Sequence, residues 1–217
     1  MKTASLKTPI LVGASTFVIA LAALGCFGKK HGASKGDRFS NNSELQTYVV
    51  PYKNAYLIMG GTSHETTVES TKTSSSVTFL MRAHGTVLDE ENYTYDSDSF
   101  NYIGNKDYGE FKEGIPILKF PFAVGDKWDW DGTYEIGGRS RKSSAVITTD
   151  SERLVTVAGD FNTVRVTVDL EIESGGSNAV KQTLKFWFAP DYGMVKREFE
   201  YSGTREPMPP EATAYQQ

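Results

Sequence analysis

Few residues of this chain have the type and spacing to do chemistry. The one thiol among its 217 residues, Cys26, lies near the end of an uncharged N-terminal run and belongs to the membrane end rather than to a nucleophilic site. Histidine occurs at His31, His64 and His84, and no two are spaced to ligate one metal ion from a common strand. Gly32-Ala33-Ser34-Lys35-Gly36 has the Gly-x-Ser-x-Gly pattern of a hydrolase nucleophile elbow. That elbow needs a strand before it and a helix after it, and these five residues stand in a polar stretch that reads as linker. Asp129-Trp130-Asp131-Gly132 would need a carboxylate at position 127 to open a calcium loop, and Lys127 is there. Asp96 and Asp98 could hold a cation, but Phe100 replaces the next ligand. With Glu110 they are the carboxylates a cell-wall sugar hydrolase would draw on, since such an enzyme needs two roughly 5–10 Å apart in a cleft. Asp89-Glu90-Glu91 reads as a charged loop. No catalytic residue, cofactor or metal ligand is assigned, and the chain is read as non-enzymatic.

Composition narrows the classes further. One cysteine excludes an intrachain disulfide scaffold and a cysteine-rich zinc site. A formal charge of −4 argues against nucleic acid as a partner. The 12% of aromatic residues is enough to fill a core.

The N-terminus carries an address. Lys2 and Lys7 precede an uncharged stretch from Thr8 to Gly28, mostly apolar from Ile10 to Leu24. That is the layout of a secretory signal. Its last residues, Ala23-Leu24-Gly25-Cys26, resemble the lipobox of bacterial lipoproteins, with Ala23 where the box more often has Leu. The resemblance implies cleavage before Cys26, a diacylglycerol thioether on its sulfur and a fatty acyl chain such as palmitate on its new amino group. An ordinary signal cleavage beside a bystander cysteine, or an uncleaved anchor, remain the alternatives; all three export the body. Removing residues 1–25 takes away two lysines and no acids, so the mature charge is −6. An acidic body is not drawn to an anionic bilayer, and the lipid must do the holding.

Beyond Cys26, residues 26–44 read as a flexible tether, 45–205 as a β domain and 206–217 as a disordered tail with three prolines. The β reading is clearest in Val164-Arg165-Val166-Thr167-Val168-Asp169-Leu170-Glu171-Ile172-Glu173, where apolar and polar residues alternate strictly. After a Ser-Gly-Gly-Ser-Asn turn, Val180, Leu184, Phe186 and Phe188 share the next strand's apolar face, and Lys181 and Lys185 could meet Asp169, Glu171 and Glu173. Trp128, Trp130, Tyr134 and Ile136 share one parity and read as core. Trp187 falls on the polar parity and is the candidate for an exposed contact surface. The fold class predicted is all-β: an antiparallel meander forming a curled sheet, half-barrel or sandwich, preceded by the N-terminal signal helix and the tether. Pro51-Tyr52 with Tyr56 resembles Pro121-Phe122 with Trp128, 70 residues on, and Tyr93-Thr94-Tyr95 with Phe100 resembles Phe186-Trp187-Phe188 with Met194-Val195, 93 residues on, a weak echo that would start a second half near residue 120. Its unequal spacing favours convergent strand grammar over duplication.

Three further stretches, Phe120 to Trp128, Val155 to Val164 and Trp187 to Lys196, resemble an uncharacterised family of bacterial exported domains and lipoproteins. The likeness covers about 120–200 and implies an all-β domain without assigned catalytic residues. The function expected is a membrane-anchored envelope lipoprotein, held at the cell membrane or outer membrane by lipid on Cys26 and facing the periplasm or exterior. Its non-catalytic β domain would bind or support an envelope protein, lipid or glycan. A carrier of a small apolar ligand is the alternative, and a cell-wall sugar hydrolase a weaker one.

Overall fold

The computed structural model describes residues 32–105, 107–174, 179–200 and 202–209. Cys26 and the signal-like segment lie outside them. The strands are β1 (Arg38–Phe39), β2 (Asn54–Met59), β3 (Thr62–Lys72), β4 (Ser76–Ala83), β5 (Thr86–Tyr95), β6 (Ser99–Asn105), β7 (Gly109–Lys119), β8 (Phe122–Ala123), β9 (Lys127–Ile136), β10 (Arg139–Thr156), β11 (Gly159–Glu173), β12 (Ala179–Ala189), β13 (Gly193–Phe199) and β14 (Gly203–Pro207). A one-turn helix, α1 (Asn42–Leu45), follows β1. The all-β antiparallel meander is as expected, and it closes on itself. Twelve strands form a barrel, in which β14 pairs with β2 and β9 lies between β7 and β10.

Alternation builds the wall. On β11, Val164, Val166, Val168, Leu170 and Ile172 are buried inward, while charged Asp169, Glu171 and Glu173 point out. This is the reverse of a membrane-spanning barrel, whose apolar side faces lipid. Glu171 faces Lys181 across the ladder and pairs with it at 2.6 Å. Lys185 turns instead to Glu198 on β13, at 3.0 Å. Such exposed pairs contribute at most about 1 kcal/mol and tune register.

Aromatic rings fill the lumen. Tyr93 lies 5.0 Å from Phe100, 5.5 Å from Tyr102 and 5.7 Å from Phe79 between ring centroids. Trp130 is buried and Trp128 packs against the same core. The β7–β9 seam has two paired positions, and side chains reinforce it. Trp128 Nε1 donates to the Pro116 carbonyl at 2.8 Å, and Glu113 accepts from the Thr133 amide at 2.8 Å.

One barrel end is capped by residues expected in the tether. Gly32 to Glu44 contains β1, which pairs with β8, and Asn41, which caps α1. Phe39 is buried against Phe122, with centroids 5.5 Å apart. Buried Asn42 donates to the Asp96 and Ser99 carbonyls at 2.7 and 3.0 Å, tying the cap to the β5–β6 turn. The polar composition served a hydrogen-bonded plug rather than a linker. Likewise Glu206 and Pro207, expected in the tail, belong to β14.

Candidate functional site

The inward parity of the wall has charged exceptions, and they meet. Asp89 and Glu91 share the inward face of β5 with Tyr93, while Arg197 comes from β13 and Arg205 from β14. Strands β2, β3 and β4 stand between β14 and β5 in the barrel order, so the cluster bridges the lumen. Glu91 Oε1 accepts from Arg197 Nε and from Arg205 Nε, each at 2.8 Å. Its Oε2 accepts from Arg205 Nη2 at 3.1 Å and from the Tyr93 hydroxyl at 2.8 Å. Arg197 Nη2 donates to Asp89, and Arg205 Nη1 to the Tyr52 hydroxyl, which itself donates to the Val195 carbonyl at 2.7 Å. The four charged side chains are 0–1% exposed, and two guanidinium charges balance two carboxylates.

Burial and pairing divide the titrations. Burial is the largest influence on every member. At Glu91 it would raise the carboxyl, but Arg205 and Arg197 outweigh it and hold the group down at about 2. At Asp89 burial prevails over Arg197, aided by the Glu91 charge, and pushes it up to about 6. Burial also drives the Tyr52 hydroxyl up to about 12 and the Tyr93 hydroxyl well above its ordinary range. Both arginines are raised, because the carboxylates outweigh the burial that would lower them. Glu91 is thus the permanently charged centre. Its oxygens face guanidiniums and a phenol inside the barrel, an arrangement suited to locking opposite walls together and not to meeting a substrate.

Asp89 and Glu91 are the correction to the expected charged loop. The signal lay in their parity: they stand four and two residues before Tyr93 on the same strand face, and Arg197 stands two before Phe199. Trp187 is the second correction. It is 4% exposed, buried on the outer face of the wall with Leu154, Ala189 and Val195 and beside Phe161. Leu154 and Phe161, paired near the tip of the β10–β11 hairpin, help enclose this outer face, so polar parity did not mean solvent.

Of the other carboxylates weighed in the sequence, Asp96 and Asp98 share the β5–β6 turn and Glu110 stands apart on β7. Asp96 Oδ1 accepts from the Asp98 and Ser99 amides at 2.8 and 2.7 Å, and the Asp98 bond leads in holding its carboxyl below the usual range. Asp98, Asp129 and Asp131 are exposed. Glu110 faces Glu135 in the β7–β9 ladder. The Ser34 amide donates to Asp37 in a tight turn, at 2.8 Å. Among the described residues, no three His, Cys, Asp or Glu are grouped to hold a metal ion. A cleft of about 310 Å³ lies between the cap and the β12–β13 turn, and one of about 220 Å³ beside Tyr108 and Tyr134 at the other end.

No family model matches the sequence, and no curated protein matches it. Among solved structures, the chain is similar to a lipoprotein candidate of Parabacteroides distasonis, at 10% identity and TM-score 0.38, over 73% of this chain and 94% of that one. It is also similar to the hypothetical lipoprotein YmcC of Escherichia coli, at 12% identity and TM-score 0.39, over 72% and 84%. A third is an exported-protein candidate with a YmcC-like fold from Bacteroides fragilis, at 13% identity and TM-score 0.31, over 81% and 95%. Likeness this loose assigns neither family nor activity.

Proposed function

We propose that the chain is an envelope lipoprotein, held by lipid on Cys26, whose β-barrel is a non-catalytic body that binds or supports another envelope component through its outer surface. The observation that carries the second part is the state of the lumen. Stacked rings occupy it, and its two inward carboxylates are neutralised by Arg197 and Arg205. A packed interior of this kind weighs against the apolar-ligand carrier, which needs an open chamber of several hundred Å³. Asp96 is taken up by the Asp98 and Ser99 amides of its own turn and Asp98 is exposed there, which weighs against the sugar hydrolase, whose two carboxylates must face a cleft. The lipobox Ala23-Leu24-Gly25-Cys26 behind a signal-like segment supports the membrane part. Growth of expressing bacteria with an alkyne fatty acid tests it. The wild-type chain is expected to take up label and the Cys26→Ser chain to lose it. Label retained on Cys26→Ser would overturn lipid attachment at that residue.

A further inference from the structure

The two most exposed large apolar side chains among the described residues sit together, at the tip of the β10–β11 hairpin: Val155, 69% exposed, and Val157, 60% exposed. The tip, Leu154 to Gly159, carries no charge. It is flanked by Arg153 and Asp160, which neutralise each other in an ion pair. Beside it, Tyr192 is 38% exposed and its ring lies 5.2 Å from that of Phe161. A half-exposed Tyr next to uncharged β-branched residues is a composition that partitions into a lipid headgroup boundary.

The position of the chain's entry says what covers this tip. Gly32 packs directly on Asn162, where a Cβ on the glycine would lie 2.4 Å from the asparagine side chain. Asn162 is the residue after Phe161 on the same hairpin. Cys26 is six residues before Gly32, and six residues span at most about 22 Å even when fully extended. A lipid on Cys26 therefore holds the bilayer surface within that reach of Gly32, at the barrel end that carries the hairpin tip.

We infer that the β10–β11 tip, through Val155 and Val157 with Tyr192 at its flank, inserts into the lipid headgroup region and sets the orientation of the anchored barrel. This rests on the lipid attachment proposed at Cys26. The body carries a net negative charge that an anionic membrane does not attract, and the uncharged tip supplies an apolar contact. The end bearing the β9–β10 and β11–β12 connections then points away from the bilayer.

The test uses the full lipidated chain carrying Val157→Cys, whose introduced thiol is labelled with an environment-sensitive fluorophore. The protein is reconstituted into phosphatidylethanolamine–phosphatidylglycerol vesicles with and without brominated acyl chains, and a Val180→Cys chain labelled at the opposite end is the control. At least twofold quenching at position 157 and none at 180, in vesicles that float with the protein, is expected. Flotation without quenching at 157 overturns the inference and leaves the anchor standing. Failure to float overturns the Cys26 attachment and the inference with it. A blue shift at 157 that bromine does not quench, accompanied by dimer mass in sedimentation, assigns the tip to a second copy and also overturns it.

Discussion

Replacing Glu91 with Gln removes one charge from the centre of the lumen and leaves Arg197 and Arg205 with Asp89 alone. The carboxylate accepts four hydrogen bonds, three of them from guanidiniums. An amide offers one oxygen, and its NH₂ would face donors. Two routes give the magnitude. The carboxyl is held at about 2 against an ordinary 4.5, which corresponds to about 3 kcal/mol of preference for the charged form at neutral pH. Breaking a buried pair from one side costs about 3–5 kcal/mol, because a buried charge loses its partner. With a urea slope of roughly 2 kcal/mol/M, the unfolding midpoint of Glu91→Gln falls by about 1.5–2.5 M at pH 7. Adding Arg205→Met removes the orphaned charge and restores part of the loss, with a coupling of about 2 kcal/mol in the double-mutant cycle. Should Glu91→Gln not accumulate, Tyr93→Phe deletes one hydrogen bond to the carboxylate and costs about 1.5–3 kcal/mol. A midpoint shift under about 0.5 M for Glu91→Gln, with no coupling to Arg205, would refute the reading of the cluster as a lock.

Other consequences are open to measurement. Asp89 holds its proton in the folded barrel up to about pH 6, whereas the unfolded chain releases it near 3.8; stability therefore declines as pH rises between those values. Asp89→Asn should flatten that decline in urea midpoints taken at pH 4.5, 5.5 and 7. Glu91 acts in the opposite sense: its contribution is complete above 4.5 and is lost as pH falls toward 2. Gly193 has φ +117°, and a Cβ there would lie 2.4 Å from the Val49 carbonyl oxygen, so Gly193→Ala should cost about 1–3 kcal/mol in thermal or urea unfolding. Trp187 Nε1 is buried without a partner among the described residues, so Trp187→Phe sheds an unmet donor and should stay within about 1.5 kcal/mol of wild type. Trp187→Ala should lose about 3–5 kcal/mol. Val155→Ser with Val157→Ser should change stability by no more than about 0.5 kcal/mol per site, as both side chains are exposed.

What was legible in the sequence was local. The alternation of Val164 to Glu173 and the meeting of Glu171 with Lys181 follow from a period of two and a short turn, and both stand in the structure. Closure was not legible, because it depends on β14 meeting β2 across most of the chain, Arg205 opposite Leu57, and no local pattern encodes that pairing. The cluster was half legible. Parity placed Asp89 and Glu91 beneath Tyr93, but residue type suggested solvent, and their arginine partners lie more than 100 residues away. A charged residue on an apolar parity is better taken as half of a pair whose other half must be sought on another strand. Polar spacing misled at residues 32–44 for a related reason: Asn42 and Phe39 have their partners on β6 and β8.

The most direct measurement of the whole account is the mass of the mature N-terminus from membranes of an expressing bacterium. The account predicts a chain that begins at Cys26 and carries diacylglyceryl and acyl groups on that residue. A chain that still begins at Met1, or a cleaved one whose Cys26 thiol is free, would contradict it.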